Sequence, residues 1–327
     1  MKFLTKKKRK IGLALGSGAA KGLAHIGVIK ELENRGISID VISGSSIGAL
    51  IGACYAIKGS IKEIEALILG INWKRLAQLL DPNIVLFSKG AIYGKKIKEL
   101  LRTIIGGVEF KDLKIPLSVV TTDAETGEEV ILDKGSVLNA VRASISIPGI
   151  FTPVKLENRY LMDGGIINPV PVSVIKRMGS DFSIACNVVH VPKKSDGCVN
   201  VTRENNHDIG VNSGKDNKVV VNVVNKIDKW IKTNRDKFEK IQNLLKVLKI
   251  KRIKGEEIDA ETPGLFESMM RALYIMEYEI IQYKIREADL IIQPDVRCIS
   301  QFGFDRGREA ILAGHKAVAE VFVKMNY

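Results

Sequence analysis

Near its start the chain twice runs a short β-branched segment into a glycine turn and then into a helical pattern, and this repetition leaves few folds open. Ile11 to Leu15 reads as a buried strand, Gly16-Ser17-Gly18-Ala19-Ala20-Lys21-Gly22 as its turn and Lys21 to Asn34 as a helix. Asp40 to Ser43 then reads as a second strand, Gly44-Ser45-Ser46-Ile47-Gly48 as its turn and Ser46 to Ile57 as a second helix. Alternation of this kind predicts an α/β protein whose parallel sheet is covered by helices on both faces. Later strands are expected at Leu117 to Thr121, Phe182 to Val189 and Leu290 to Gln293, and long helices at Leu265 to Arg286 and Arg306 to Lys324.

The 327 residues are 46% hydrophobic and 27% charged, which excludes a disordered or fibrous chain. Lysine and arginine number 50 against 37 acids, a net charge of +13 that favours anionic company. Residues 1–10 form a basic tail that imitates the start of a secretory signal. The apolar run behind it is brief, however, and cleavage near Ala19-Ala20 would discard the glycine loop, so no signal is expected. Val41 to Ile57 is too short and too polar for a membrane span. Cys54, Cys186, Cys198 and Cys298 are far apart, which argues against a zinc knuckle or a disulfide framework and for a reducing compartment.

One domain is expected over residues 11–327, interrupted by an insertion at about 192–262. Within the insertion, Val219 to Lys254 carries eleven lysines and arginines against three acids, and Ile227, Ile231, Asn234, Phe238, Ile241, Leu245 and Leu248 follow a four-three spacing. A basic amphipathic helix of this kind reads as a dock for an anionic membrane surface. A short coiled coil and a helix packed on its own domain are the alternatives. Trp230 and Phe238 are too few aromatics for a nucleic-acid binder, so no nucleic-acid partner is expected.

Gly44-Ser45-Ser46-Ile47-Gly48 matches G-x-S-x-G in the context the motif requires, between a strand and a helix, where a sharp turn exposes the serine hydroxyl. A glycine-rich helix start without reactivity has the same appearance. The first glycine loop presents backbone N–H groups to an anion, which suits a phosphate or an oxyanion. Its sixth position is Lys21 rather than glycine, and no Gly-Lys-Ser/Thr follows, so the nucleotide reading weakens. A serine nucleophile needs a base. His25 and His315 read as helical residues, His207 lies in a polar segment, and His190 ends a predicted strand, where open α/β sheets place their sites. Asp163, in Leu161-Met162-Asp163-Gly164-Gly165, is the other candidate. Just upstream, Val141 to Val154 looks like a helix stopped by Pro148-Gly149.

Taken in this order, these four segments resemble the patatin-like phospholipases, especially the small bacterial members akin to the esterase domain of neuropathy target esterase. The resemblance runs from about Ile11 to Val172 and resumes near Ala288 to Val296. It implies a three-layer α/β/α sandwich with a mostly parallel central sheet. It also implies a serine acylhydrolase that cleaves lipid carboxyl esters, of phospholipase A or lysophospholipase type, through an acyl-enzyme. Ser46 would be the nucleophile at an elbow flanked by Gly44 and Gly48, and Asp163 its partner in a loop with Gly164 and Gly165. Gly16, Ser17, Gly18, Ala19 and Lys21 would form the oxyanion loop, with no cofactor and no metal. Ser17 and Ala19 interrupt a stretch that is richer in glycine across the family, and Lys21 stands where arginine is common. Whether Ala19 can adopt a glycine-like angle is therefore a point for the structure. The expected protein is cytoplasmic, peripheral at the inner membrane face, and takes a phospholipid or lysophospholipid. Two rivals remain: a triad of Ser46 and Asp163 with His190 or His315, and a non-catalytic lipid-binding protein. Met269, Met270, Leu273 and Met276 suggest a flexible apolar wall for an acyl chain, although such a stripe also suits plain core.

Overall fold

The computed structural model describes residues 9–71, 91–191, 220–233 and 264–325. The two strand–turn–helix units form largely as the pattern predicts, as β1 (Ile11–Leu15) and α1 (Ala24–Asn34), then β2 (Val41–Ser45) and α2 (Ile47–Lys58). Their junctions differ. A 3-10 turn over Ala19–Leu23 precedes α1, and β2 runs through Gly44 and Ser45, so that Ser46 becomes the N-cap of α2.

After α3 (Lys62–Gly70) and α4 (Ala91–Ile105) come β3 (Leu117–Asp123), β4 (Glu129–Leu132), α5 (Val137–Ser144), β5 (Val154–Leu156) and β6 (Arg159–Asp163). The chain continues with α6 (Val172–Arg177), β7 (Phe182–Cys186), α7 (220–233), α8 (Leu265–Lys284), β8 (Leu290–Ile292) and α9 (Gly307–Lys324). The helix expected to stop at Pro148 ends earlier, at Ser144.

The sheet has eight strands in the order β5-β6-β3-β2-β1-β7-β8, with β4 also on β3. From β3 to β8 the neighbours are parallel, whereas β4, β5 and β6 join antiparallel. Alternate residues of a strand face opposite layers. Leu13 and Leu15 of β1 therefore join one cluster with Ile26 and Ile29 of α1, Ile51 of α2 and Val318 of α9. Ala14 faces the other layer, against Val172 and Ile175 of α6 and Ile281 of α8. Each such buried leucine or isoleucine contributes about 1.5–3 kcal/mol. The result is a mostly parallel sheet between two helical layers.

One detail of register positions everything that follows. Ser45, the last residue of β2, pairs with Val120 of β3, and Asp163, the last residue of β6, pairs with the next residue, Thr121. Because β4 occupies the other edge of β3 over Val119 to Thr122, β2 and β6 share a single edge and meet there end to end. A parallel and an antiparallel strand thus deliver Ser46 and Asp163 to the same point.

Two expectations need correction. The described part of the insertion, α7, turns Ile227 and Ile231 inward to the domain core, and Val224 packs against Gly70, so these residues cannot also enter a membrane. The apolar positions from Asn234 to Leu248 lie outside the described residues, as do His207 and the tail up to residue 8. Cys54 and Cys186 are free and buried, but Cys298 is disulfide-bonded, so the cysteines no longer argue for a reducing compartment.

Candidate active site

Ser46 sits at φ 54°, ψ −123°, a conformation that costs a non-glycine residue about 1–3 kcal/mol and persists only where the surroundings impose it. Those surroundings are close. A Cβ on Gly48 would lie 2.1 Å from the carbonyl oxygen of Leu15 and 2.7 Å from that of Gly16, so only glycine lets α2 start against the end of β1. The Ser46 N–H donates to Ser144 Oγ at 2.9 Å, and Ser144 Oγ donates to the Val120 carbonyl at 2.7 Å. Ser144 thus ties the elbow to β3.

Ser46 Oγ donates to Asp163 Oδ2 at 2.7 Å, and both side chains are about 5% exposed. The other carboxylate oxygen, Oδ1, accepts the Gly165 N–H at 2.8 Å. Thr122 Oγ1 donates to the Asp163 carbonyl at 2.8 Å, which anchors the backbone as well. Burial pushes the Asp163 carboxyl up to about 7, against the opposing pull of the Ser46 and Gly165 bonds. A carboxylate with that affinity can take a proton from a hydroxyl near neutral pH.

The glycine loop is narrower in its chemistry than its sequence suggests. The N–H groups of Gly16, Ser17, Ala20 and Lys21 donate to the carbonyls of Cys186, Pro169, Gln301 and Gly18. Among the described residues, the Gly18 and Ala19 N–H groups have no such bond, and these two residues line the same cavity as Ser46 and Asp163. Ala19 does take the left-handed region, at φ 49°, a strain of about 1–2 kcal/mol. The Lys21 ammonium points elsewhere: it donates to Tyr274 Oη at 3.0 Å and lies 4.7 Å from that ring's centre. Gly16, Ser17 and Lys21 therefore shape the loop without offering it a free backbone N–H.

No histidine among the described residues bonds to Ser46 or Asp163. His190 Nε2 meets the Pro294 carbonyl at 2.7 Å, and His315 pairs with Glu31 at 2.8 Å. His25 is fully buried between Cys186 Sγ, at 3.0 Å, and the Gly16 carbonyl, at 2.8 Å. Burial lowers it to about 4, so it is neutral and holds the carbonyl at the start of the glycine loop. No cluster of three or more His, Cys, Asp or Glu side chains suited to a metal ion occurs among the described residues.

The cavity wall comes from α8, which supplies Met270, Leu273, Tyr274, Met276 and Glu277. Three of the four residues of the apolar stripe therefore face the site, while Met269 packs on Gly149. Met276, 53% exposed, and Phe302, 37% exposed, make the mouth apolar. Sequence reasoning gave no role to Ser144, Thr122, Tyr274 or Glu277; Ser144 lies in the Val141 to Val154 segment, and the other three stand in no motif.

Fold and corner together define an α/β protein built around a serine elbow. Residues 13–175, about half of the chain, match the family model described as patatin-like phospholipase. Relatives agree. An uncharacterized NTE family protein of Mycobacterium tuberculosis is 39% identical over 179 residues, 55% of this chain and 49% of the relative. The neuropathy target esterase of Drosophila melanogaster is 34% identical over 188 residues, 54% of this chain and 13% of the relative. A lysophospholipase of Aspergillus fumigatus is 34% identical over 187 residues, 55% of this chain and 12% of the relative. The chain thus spans about half the length of the mycobacterial relative and far less of the other two.

Proposed function

We propose that the protein hydrolyses lipid carboxyl esters, of the phospholipase A or lysophospholipase type, through an acyl-enzyme on Ser46. The observation that carries this reading is the 2.7 Å bond from Ser46 Oγ to a buried Asp163 carboxylate, beside two open backbone N–H groups. As Ser46 Oγ attacks the ester carbonyl carbon, its proton moves to Asp163 Oδ2. The negative charge on the carbonyl oxygen is met by the N–H groups of Gly18 and Ala19 and by the N-terminus of α2. Collapse of the intermediate breaks the bond to the alcohol, which leaves with the proton held by Asp163. Water then attacks the acyl-enzyme, gives its proton to Asp163 and releases the fatty acid, and the proton returns to Ser46.

An apolar mouth and methionine wall support an acyl chain as the bound group. The net charge of +13 supports meeting that substrate at an anionic membrane face, with the protein peripheral on it. No helix among the described residues is long and apolar enough to cross a membrane. The test is a comparison of lipid products from wild type and Ser46→Ala. Free fatty acid and the matching deacylated lipid should accumulate with wild type alone. Equal products from both would refute the acyl-enzyme, and binding of lipid without products would leave a lipid-binding protein.

A further inference from the structure

The elbow, the glycine loop and Asp163 lie within the matched residues, but one carboxyl in this corner does not. Glu277 comes from α8, about a hundred residues beyond the match. Its Oε1 is 2.5 Å from the position a Cβ of residue 165 would take, Asp163 Oδ1 is 3.1 Å from that position, and Ser17 Cβ is 2.9 Å from it. Gly165 is therefore the residue over which two carboxyls and the first serine of the oxyanion loop converge. Ser17 Oγ is buried, 1% exposed, and makes no hydrogen bond of good geometry. It is an unmatched hydroxyl beside an acid.

Two carboxyls this close cannot both ionise cheaply away from bulk water. Hydrogen bonds decide which keeps the proton. Asp163 receives two donors, from Ser46 and Gly165, and both favour its ionised form. Glu277 has no donor of comparable geometry; burial and the Asp163 charge both raise its affinity for a proton, and the nearby Ser17 hydroxyl opposes them only in part. The first proton therefore leaves Asp163 and the second stays on Glu277.

We propose that Glu277 is a positioning acid that must remain protonated for the site to work, and that its ionisation switches the enzyme off at alkaline pH. This rests on the acyl-enzyme reading above. A neutral Glu277 leaves Asp163 as the one negative charge at the nucleophile. An ionised Glu277 sets a second negative charge against Ser17, next to the two N–H groups that must receive an oxyanion, and so raises the energy of the tetrahedral intermediate. The other charged or titratable groups around this corner are Lys21, bonded to Tyr274 Oη one turn back along α8, Tyr278 on the same helix, and His190, whose ring is turned to Pro294. None of them comes as close to Gly165 as the two carboxyls do.

The experiment is a pH series, from about 5 to about 10, on the full chain. Two probes are used: a short-chain p-nitrophenyl ester, and a fluorophosphonate that labels an active serine. Wild type should lose kcat/KM on both sides of a maximum. In Glu277→Gln the alkaline loss should vanish, so that the ratio of kcat/KM at about pH 9 to that at about pH 7 rises about tenfold or more over wild type, while Glu277→Asp keeps the loss. A Glu277→Gln profile with the wild-type alkaline limb would overturn the inference, and so would a wild type with no such limb. Labelling separates this from failure of the functional reading. A wild type that never labels at Ser46 refutes the acyl-enzyme. Labelling with the same pH course in wild type and Glu277→Gln refutes only the role of Glu277. Should Glu277→Gln not fold, wild-type labelling that keeps rising to about pH 10 overturns the proposal.

Discussion

Asp163→Asn should remove the activity and, at neutral pH and above, stabilise the fold. The carboxyl is 4% exposed, and burial raises it from its ordinary 3.8 to about 7. Such a raised group costs the folded state about 4 kcal/mol once it is ionised, at about 1.4 kcal/mol for each tenfold change in proton affinity. The sign follows from where each state loses the proton. The unfolded chain releases it near the ordinary value of 3.8 and the folded protein near 7, so this contribution is fully present below about pH 4, is lost as the pH rises through 7, and is constant above about 8. Asparagine has nearly the same shape and no proton to lose. The difference in stability between Asp163→Asn and wild type should therefore shift in favour of the variant by up to about 4 kcal/mol between pH 4 and pH 8, or roughly 8 °C in Tm for a domain of this size. Calorimetric melting across that range measures it, and effects that do not depend on pH cancel in the comparison. The series is repeated with Glu277→Gln in both proteins, so that Glu277 cannot titrate in place of Asp163. A difference that stays the same at every pH, or a shift toward wild type as the pH rises, would refute the picture of a buried carboxylate kept ionisable for chemistry at the expense of stability.

Ser46→Ala and Asp163→Asn should each lower ester hydrolysis about a thousandfold or more, and wild-type activity should survive EDTA, because in the proposed reaction protein groups alone carry the charge and the protons moved. Loss on chelation with recovery on added calcium would refute the second expectation. Gly48→Ala places a Cβ 2.1 Å from the Leu15 carbonyl oxygen, where only backbone can yield; it should cost more than about 3 kcal/mol in denaturant unfolding, and wild-type stability would contradict the elbow geometry. His25 titrates near 4 in the folded protein and near 6.5 in the unfolded chain, so acid should remove up to about 3 kcal/mol over that interval, and His25→Gln should remove that component from the acid melting curve. Met270→Trp should shift the preferred acyl chain toward shorter lengths in a series of p-nitrophenyl esters, whereas a change in stability with an unaltered chain-length profile would assign Met270 to the core.

The parts legible in the sequence are those that local sterics decide. A serine flanked by Gly44 and Gly48 between a strand and a helix can form only a tight turn, because the atoms that would clash lie within a few residues or on the adjacent strand end. The alternation of β1, α1, β2 and α2 likewise required a covered parallel sheet whatever followed. Asp163 was visible as an Asp-Gly-Gly candidate, but its approach to Ser46 waited on pairing, since 117 residues separate the two and only the shared edge of β3 closes that gap. The short strands β4, β5 and β6 had no pattern of their own, because they depend on the neighbours they pair with. Five loop positions looked equivalent as oxyanion donors until the carbonyls of Cys186, Pro169, Gln301 and Gly18 occupied four of the N–H groups from Gly16 to Lys21 and left those of Gly18 and Ala19 open. Glu277 had the appearance of an ordinary acid on an amphipathic helix. Its proximity to Asp163 exists only because α8 lies across the end of the sheet, and loss of solvent, on which a carboxyl's proton affinity depends, is a property of the packed molecule and not of neighbouring residues in the chain.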